Sequence, residues 1–265
     1  MTTQGRKAED FRALHAGPPF VIPNPWDAGS AHVFEALGFR ALATTSSGFA
    51  FTLGRLDGQA TLTEVAAHVE ALVGATDLPV SADLENGYGP EPASAAHAIA
   101  RIAEAGAVGG SIEDWDGAER RLYDPSHAAE RVAAAVEAAR TLGFPFTLTA
   151  RAENHIRGHP DLDDTIERLR AFERAGADVL YAPGLSTLDQ IRTVCSAVSK
   201  PVNVLARPDL SFDELVGAGA RRVSVGGALA WVAARAMADA AIAIRDHGDF
   251  SALSARVPLA DWFRP

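Results

Sequence analysis

Pro79-Val80-Ser81-Ala82-Asp83-Leu84-Glu85-Asn86-Gly87-Tyr88-Gly89 holds a strand entrance, a short buried strand and an acidic turn in one stretch. Proline cannot donate to a ladder interior and so marks the entrance. The brief run that follows reads as a buried strand, and glycine lets the backbone turn where the carboxylates begin. About thirty residues on, Gly109-Gly110-Ser111-Ile112-Glu113-Asp114 ends in the same way. A core has no use for three or four carboxylates at strand ends. A hard, oxygen-ligated cation such as Mg²⁺ does.

Outward from these stretches the same module recurs. Short β-branched or apolar runs at 20–24, 41–45, 80–83, 109–113, 146–150, 179–182, 202–205 and 222–225 are predicted strands. Alanine-rich segments of helical period lie between or after them, at 28–37, 62–76, 93–105, 125–142, 163–175, 187–198, 212–217 and 228–246. Thr61 and Glu64 form a capping-box pattern at the start of the second helix. The near-repeats Leu37-Gly38-Phe39, Ala105-Gly106-Ala107, Ala175-Gly176-Ala177 and Ala218-Gly219-Ala220 place glycine where a helix would end before a strand. Eight alternations without a linker favour one (β/α)₈ barrel of the TIM type over a doubly wound open sheet. The expected domain is the whole chain, 1–265, with a short packing segment at about 248–265 carrying Trp262 and Phe263.

Bulk composition agrees with this. The chain has 265 residues, against roughly 250 for such a barrel, and 48% are hydrophobic. Its net charge of −10 disfavours nucleic-acid and anionic-membrane roles, which need a basic footprint. The stretch from Met1 to Asp10 reads as a polar leader without a signal region, and no apolar run approaches a membrane span, so the expected location is the cytoplasm. One cysteine, Cys195, lies in a helical pattern and reads as an inert thiol. The two lysines, Lys7 and Lys200, are not where a Schiff base would form at the reactive face of a barrel.

Barrel active sites use strand C-termini and the loops after them. Those positions here are Asn24, Asp27, Thr45 to Gly48, Asp57, Asp83, Glu85, Glu113, Asp114, Arg151, Glu153, Asn154, His155, Asn203, Arg207, Gly226 and Gly227. Carboxylates gather after the second to fourth strands, and Arg151 follows the fifth. A cation opposite an arginine suits an oxyacid such as a 2-keto carboxylate. Plainer readings stand beside these. Asp57 in Leu56-Asp57-Gly58-Gln59 is also a plausible turn, and Arg151 is also placed for a structural ion pair with Glu113. His155 is either a proton-transfer group or part of a surface loop. The Gly226-Gly227 pair either cradles a phosphate or permits close packing.

The strings Pro23-Asn24-Pro25-Trp26-Asp27, Ser46-Ser47-Gly48, Asp83 to Gly89, Ile112-Glu113-Asp114 and Ala150-Arg151-Ala152-Glu153 resemble the isocitrate lyase/phosphoenolpyruvate mutase superfamily, in order, over about 20–230. The resemblance implies a Mg²⁺ enzyme, with Mn²⁺ as the substitute ion, acting on a C–C or P–C bond beside a 2-keto or enolate group. It implies that Asp83 is the main metal ligand, with Asp57, Glu85 and Glu113 holding the ion through water. Thr45, Ser47 and Gly48 would bind the substrate carboxylate and keto oxygen, and Arg151 would pair with the same substrate. Asn203 is a further candidate for substrate binding. Asp57, Glu113 and Arg151 are the candidate catalytic residues. Family members assemble as dimers of dimers that exchange the eighth helix, which implies a homotetramer here.

The departures narrow the reaction. Isocitrate-type lyases carry a K-[KR]-C-G-H lid motif, and the segment here is Trp115-Asp116-Gly117-Ala118-Glu119-Arg120-Arg121-Leu122-Tyr123, without Cys, Lys or His. The lysine- and asparagine-containing lid of the phosphonate-forming mutases is absent as well. The expectation is a Mg²⁺-dependent lyase of a small 2-keto acid or related oxyacid, resembling an oxaloacetate decarboxylase. The alternatives are a phosphonomutase or phosphonopyruvate hydrolase and, outside enzymes, a barrel that only binds a 2-keto acid.

Overall fold

A computed structural model of the chain describes residues 2–254 and 256–263, and Met1, Ala255, Arg264 and Pro265 lie outside the description. The strands are β1 (Phe20–Ile22), β2 (Leu42–Ala43), β3 (Val80–Asp83), β4 (Gly109–Glu113), β5 (Trp115–Asp116), β6 (Arg121–Leu122), β7 (Thr147–Arg151), β8 (Val179–Tyr181), β9 (Val202–Leu205) and β10 (Arg222–Ser224). Eight of them form a parallel sheet in the order β1-β10-β9-β8-β7-β4-β3-β2. The remaining seam is bridged where Ala43 N–H donates to the carbonyl of Pro23 at 3.1 Å. The fold is the (β/α)₈ barrel, and each strand lies within a residue or two of its sequence-based bounds.

The helices are α1 (Thr3–Ala16), α2 (Ala28–Ala36), α3 (Ser46–Thr52), α4 (Leu62–Ala75), α5 (Pro92–Glu104), α6 (Pro125–Arg140), α7 (Leu162–Ala175), α8 (Leu188–Ala197), α9 (Phe212–Gly217), α10 (Ala228–His247) and the short α11 (Leu259–Trp262). Thr61 caps α4 reciprocally with Glu64. Gly176 ends α7 at φ 105°, a backbone region that side chains other than glycine disfavour. The main core lies between the strands and the outer helices. Buried alanines such as Ala95, Ala98, Ala135 and Ala139 let α5 and α6 pack closely there.

The polar leader is the first correction. Residues 3–16 form helix α1, which covers the base of the barrel. Phe11, Phe20, Ile22, Ala41 and Val108 make a separate buried cluster there. Gly109 has no side chain because a Cβ would meet the Phe11 ring at 2.7 Å. Lys7 is buried rather than solvated, with its ammonium donating to the Thr76 carbonyl at 2.8 Å. Two further elements were not expected. The Ser-Gly loop is the start of α3, and the lid is a β5–β6 hairpin closed by Tyr123 N–H donating to the Asp114 carbonyl at 2.9 Å.

Helix α10, the eighth of the barrel, stands apart. Of its 20 residues only Ala230 is buried, while Trp231 is 44% and Met237 64% exposed. The C-terminal segment returns to the barrel, with the Phe263 ring edge-on to His32 of α2 at 5.2 Å. No helix among the described residues is long and apolar enough to cross a membrane.

Candidate active site

Two adjoining cavities open at the C-terminal mouth and share Ser46, Asp57 and Arg151. The inner one, about 200 Å³, runs down the barrel between Thr45, Ser47 and Asp83 on one side and Tyr181, Asn203 and Arg222 on the other. The outer one lies under the lid and adds Glu85, Tyr88, Glu113, Trp115 and Arg157. Strand pairing places Glu113, Arg151, Tyr181, Asn203 and Arg222 opposite one another on successive strands, in a single row around the barrel.

Arg151 is the hub. Its guanidinium lies 2.9 Å from Asp83, 3.2 Å from Glu113 and 2.8 Å from Glu153, all largely buried. Burial opposes its charge, but Glu153, Glu113 and Asp83 outweigh that and hold it protonated well beyond the usual range. The structural-pair reading of Arg151 and the site reading therefore coexist: the ion pair is made, and Arg151 still lines both cavities. Arg157 adds a second cation, 3.2 Å from Glu113, and stacks on Trp115 of the lid at 4.9 Å.

The acidic side carries more negative charge than these arginines neutralise. Burial, and then the charges of Asp83 and Asp57, push the Glu85 carboxyl up to about 7. Burial, then Glu153, raises Glu113, against the pull of Arg151. Asp57 sits on the exposed α3–α4 loop, yet burial of its carboxyl and the nearby Asp83 still raise it, against a hydrogen bond from Ser46. Glu85 occupies a left-handed backbone position, φ 48°, and its buried Oε1 has no partner. The Tyr88 hydroxyl beside it is also buried and unpartnered.

These features fit a divalent cation. A buried carboxylate oxygen without a donor and mutually raised acids are both relieved by positive charge. Among the described residues no three acidic, histidine or cysteine side chains close into a cage. That suits an ion such as Mg²⁺, which takes one or two carboxylates and keeps several waters. Asp83 is best placed as the direct ligand. Its backbone N–H is fixed by Thr44 Oγ1 at 2.8 Å, and its carboxylate accepts from Ser111 Oγ and Ser46 N–H, both at 3.3 Å.

The other candidates divide by placement. Thr45 and Ser47 line the inner cavity, with their hydroxyls 3.2 Å apart. Gly48 lies behind that wall, its N–H turned towards Thr45 Oγ1 at 3.4 Å. A Cβ there would sit 2.7 Å from Thr45 and 3.0 Å from Trp26, so glycine serves packing. Asn203 lines the cavity floor, with its amide held between Arg222 and Ser224. Asp27 caps α2. Asp114 is buried behind the site, paired with Arg168 at 3.0 Å, and Arg168 also donates to the Tyr123 carbonyl, which ties down both ends of the lid. His155 is buried and lines neither cavity. The N–H groups of Val225 and Gly226 are both taken by Asn24 Oδ1 at 2.9 Å, so the Gly226-Gly227 turn is pinned instead of open to phosphate.

Sequence reading missed Tyr88, Ser111, Arg157, Tyr181 and Arg222. Only Arg222 left a signal, as a charged residue inside a run that otherwise reads as a buried parallel strand.

The chain belongs to the phosphoenolpyruvate phosphomutase family, whose pattern it matches over residues 11–245. It is an enzyme of the isocitrate lyase/phosphoenolpyruvate mutase superfamily of Mg²⁺-dependent lyases and mutases. Among solved structures, a Burkholderia cenocepacia J2315 protein provisionally assigned as a lyase/mutase is 52% identical, with a TM-score of 0.96, over 99% of this chain and 97% of that one. The 2-methylisocitrate lyase of Escherichia coli K12 is 31% identical over 77% of this chain and 73% of its own length. The oxaloacetate decarboxylase of Bradyrhizobium sp. BTAi1 is 30% identical over 85% of this chain and 79% of its own.

Proposed function

We propose that this enzyme is a Mg²⁺-dependent carbon–carbon lyase of a small 2-keto acid or a related oxyacid, oxaloacetate decarboxylase-like in its chemistry. One observation carries the reading. The two adjoining cavities together present a carboxylate set suited to a divalent ion on one side and cationic or hydrogen-bond-donating side chains on the other, with no lysine or cysteine lining them. The lyase and decarboxylase names of the relatives support the reaction type.

Asp83 would hold the ion directly, with Asp57, Glu85 and Glu113 holding it through water. When bound, the ion supplies Lewis-acid stabilisation of the enolate that remains after the neighbouring bond breaks. Arg151, which lines both cavities while held by its three carboxylates, orients the substrate carboxylate through its charge. Thr45 and Ser47 offer hydroxyls to the same anion. The β5–β6 hairpin, latched by Trp115 stacking on Arg157, shields the reacting centre from water. The lid brings no thiol, so a departing group that needs no protonation, such as CO₂, fits best. The lid segment also lacks the lysine and asparagine of the phosphonate-forming mutases, which counts against the P–C bond alternative.

The test is product release: pyruvate by coupled lactate dehydrogenase, with pyruvate kinase and ADP added to reveal phosphoenolpyruvate, and glyoxylate from isocitrate as its phenylhydrazone. The panel is oxaloacetate, substituted malates, isocitrate, methylisocitrate and phosphonopyruvate, with a metal-only blank. Turnover of oxaloacetate or a substituted malate well above the others is expected. Phosphonopyruvate as the best substrate by kcat/KM would put the enzyme in the P–C branch, and binding without turnover would make it a 2-keto acid sensor. We also propose a homo-oligomer, a tetramer built as a dimer of dimers, that covers the exposed apolar face of α10. A monomeric mass in light scattering at micromolar concentration would refute that assembly.

A further inference from the structure

Among the described residues, Arg222 is a buried cation with no anion beside it. It is 5% exposed, inside the barrel at the floor of the inner cavity. Its partners are all neutral: Asn203 Oδ1 at 2.8 Å, Thr149 Oγ1 at 3.0 Å and His15 Nε2 at 3.2 Å. His15 is neutral in turn, because its Nδ1 donates to the Phe11 carbonyl at 2.8 Å and its Nε2 is left to accept from Arg222. Buried charges are ordinarily paired, and an unpaired one is costly. The interior of such a barrel is ordinarily filled by bulky apolar residues. Here Ser81, Ser111, Asn203, Arg222 and Ser224 line it instead.

The hydrogen bonds around Arg222 have a forced direction. A guanidinium only donates, so the amide of Asn203 must turn Oδ1 towards it. That leaves Nδ2, which donates to Ser224 Oγ at 2.9 Å and carries one further N–H. Ser224 Oγ, which accepts from Asn203, also lies near the Tyr181 hydroxyl. Tyr181 faces the inner cavity with a hydroxyl able to donate to a ligand. Its ring is fixed by Arg151, whose guanidinium lies 5.2 Å from the ring centroid. Both Tyr181 and Asn203 line the cavity.

We propose that Arg222 is a positioning residue for substrate binding: its uncompensated charge, and the orientation it imposes on the Asn203 amide, make the β8–β10 side of the cavity a donor surface on which the Tyr181 hydroxyl and the Asn203 amide hold an anionic oxygen of the substrate. This rests on the keto-acid reading above and deepens it. The anion completes the charge balance that the protein leaves open at Arg222. A substrate with a carboxylate or enolate oxygen facing β8–β10 is therefore bound, and its ester or amide counterpart is rejected.

The probe is oxalate, a small dianion, titrated calorimetrically into the Mg²⁺-loaded full-length protein, alongside oxaloacetate kinetics. Arg222→Gln is expected to weaken oxalate binding by about 10- to 100-fold, the range of one lost charge-assisted interaction. It should raise KM for oxaloacetate more than it lowers kcat. Arg222→Lys, which restores charge and a donor to Asn203 Oδ1, should recover most of the affinity. Tyr181→Phe removes one hydroxyl and is expected to weaken oxalate by about tenfold with unchanged thermal stability.

A purely structural Arg222 would give a lowered Tm with wild-type affinity in the folded Arg222→Gln protein, and that result overturns the proposal. If Arg222→Gln does not fold, Tyr181→Phe decides, and wild-type oxalate affinity in that variant overturns it equally. Should the wild-type protein neither bind oxalate nor turn over any keto acid, the keto-acid reading itself fails and the inference goes with it.

Discussion

Arg151 and Arg222 stand in one row of the barrel, separated by Tyr181 and Asn203, and the protein treats them in opposite ways. Arg151, at the mouth, is held by Asp83, Glu113 and Glu153. Burial and those three anions act against each other there, and the anions win. Arg222, at the floor, has only neutral partners, and burial lowers its pKa to about 10, with Tyr181 as a weak counterweight. Identical side chains thus serve different ends. One arginine is fixed at the mouth by the acids beside it. The other keeps a charge available to whatever anion enters.

The largest effect should come from the acids that frame this contrast. Asp83→Ala is expected to abolish turnover, by about a thousandfold or more, while circular dichroism stays native. EDTA should inhibit the wild type, and Mg²⁺ or Mn²⁺ should restore it. Full activity in Asp83→Ala would remove the metal centre from the account.

Next comes the stability of the two arginines themselves. Arg151→Met leaves Asp83 buried without its cation and Glu113 and Glu153 with Arg157 alone, and breaking such a pair costs about 3–5 kcal/mol. Arg222→Met strands no opposite charge but leaves Asn203 Oδ1, Thr149 Oγ1 and His15 Nε2 without their donor, about 1–3 kcal/mol that removal of a buried unpaired charge partly offsets, so its loss should be the smaller of the two. Urea unfolding of both variants checks the difference. Equal destabilisation would mean that Arg222 is as structural as Arg151, and the comparison would collapse.

The fold was legible in the sequence because its signals are local. Proline entrances, glycine helix ends and β-branched runs repeat at every βα unit, and the acidic strand ends after β3 and β4 are contiguous in the chain. Arg222 and Tyr181 were not legible, since their meaning depends on parallel register. Only pairing through Asn203 brings residues 151, 181 and 222 into one row. Helix α1 escaped for a different reason. Its docking rests on Phe11 and the half-buried Leu14 with the small Ala8, too little for an amphipathic pattern to show. Gly48 was read as an anion-binding turn, and the packing of Thr45 and Trp26 against it became visible only in three dimensions.

A smaller effect sharpens the floor side of the comparison. Burial first, then the Arg222 charge, lowers the His15 pKa from 6.5 to about 3, and burial lowers that of His68 on α4 to about 4. Groups whose folded pKa is depressed favour the native state while neutral, and a histidine is neutral above its unfolded pKa. Their contribution is therefore complete above about pH 6.5 and is lost as pH falls from there through about 4 and 3. On the order of 3 kcal/mol should disappear between about pH 7 and pH 4 through His15 alone. Urea midpoints across that range check this, and His15→Gln should flatten the slope.

The smallest effect belongs to Cys195, the one thiol in the chain. Isocitrate-type lyases keep a cysteine in the lid, whereas here the thiol is on α8, outside the barrel. It lies beside Gly219, where a Cβ would sit 2.7 Å from the Cys195 Cβ. Burial pushes the thiol up to about 11, so almost no thiolate exists at neutral pH. Neither cavity at the mouth includes it. Cys195→Ser should therefore leave kcat and KM within about twofold of wild type and cost at most about 1 kcal/mol of stability, as surface-like substitutions do. Alkylation by iodoacetamide should likewise be slow and leave turnover intact. Rapid inactivation that tracks a single modified thiol would place an acid where this structure has none, and would reopen the isocitrate-type mechanism for this site.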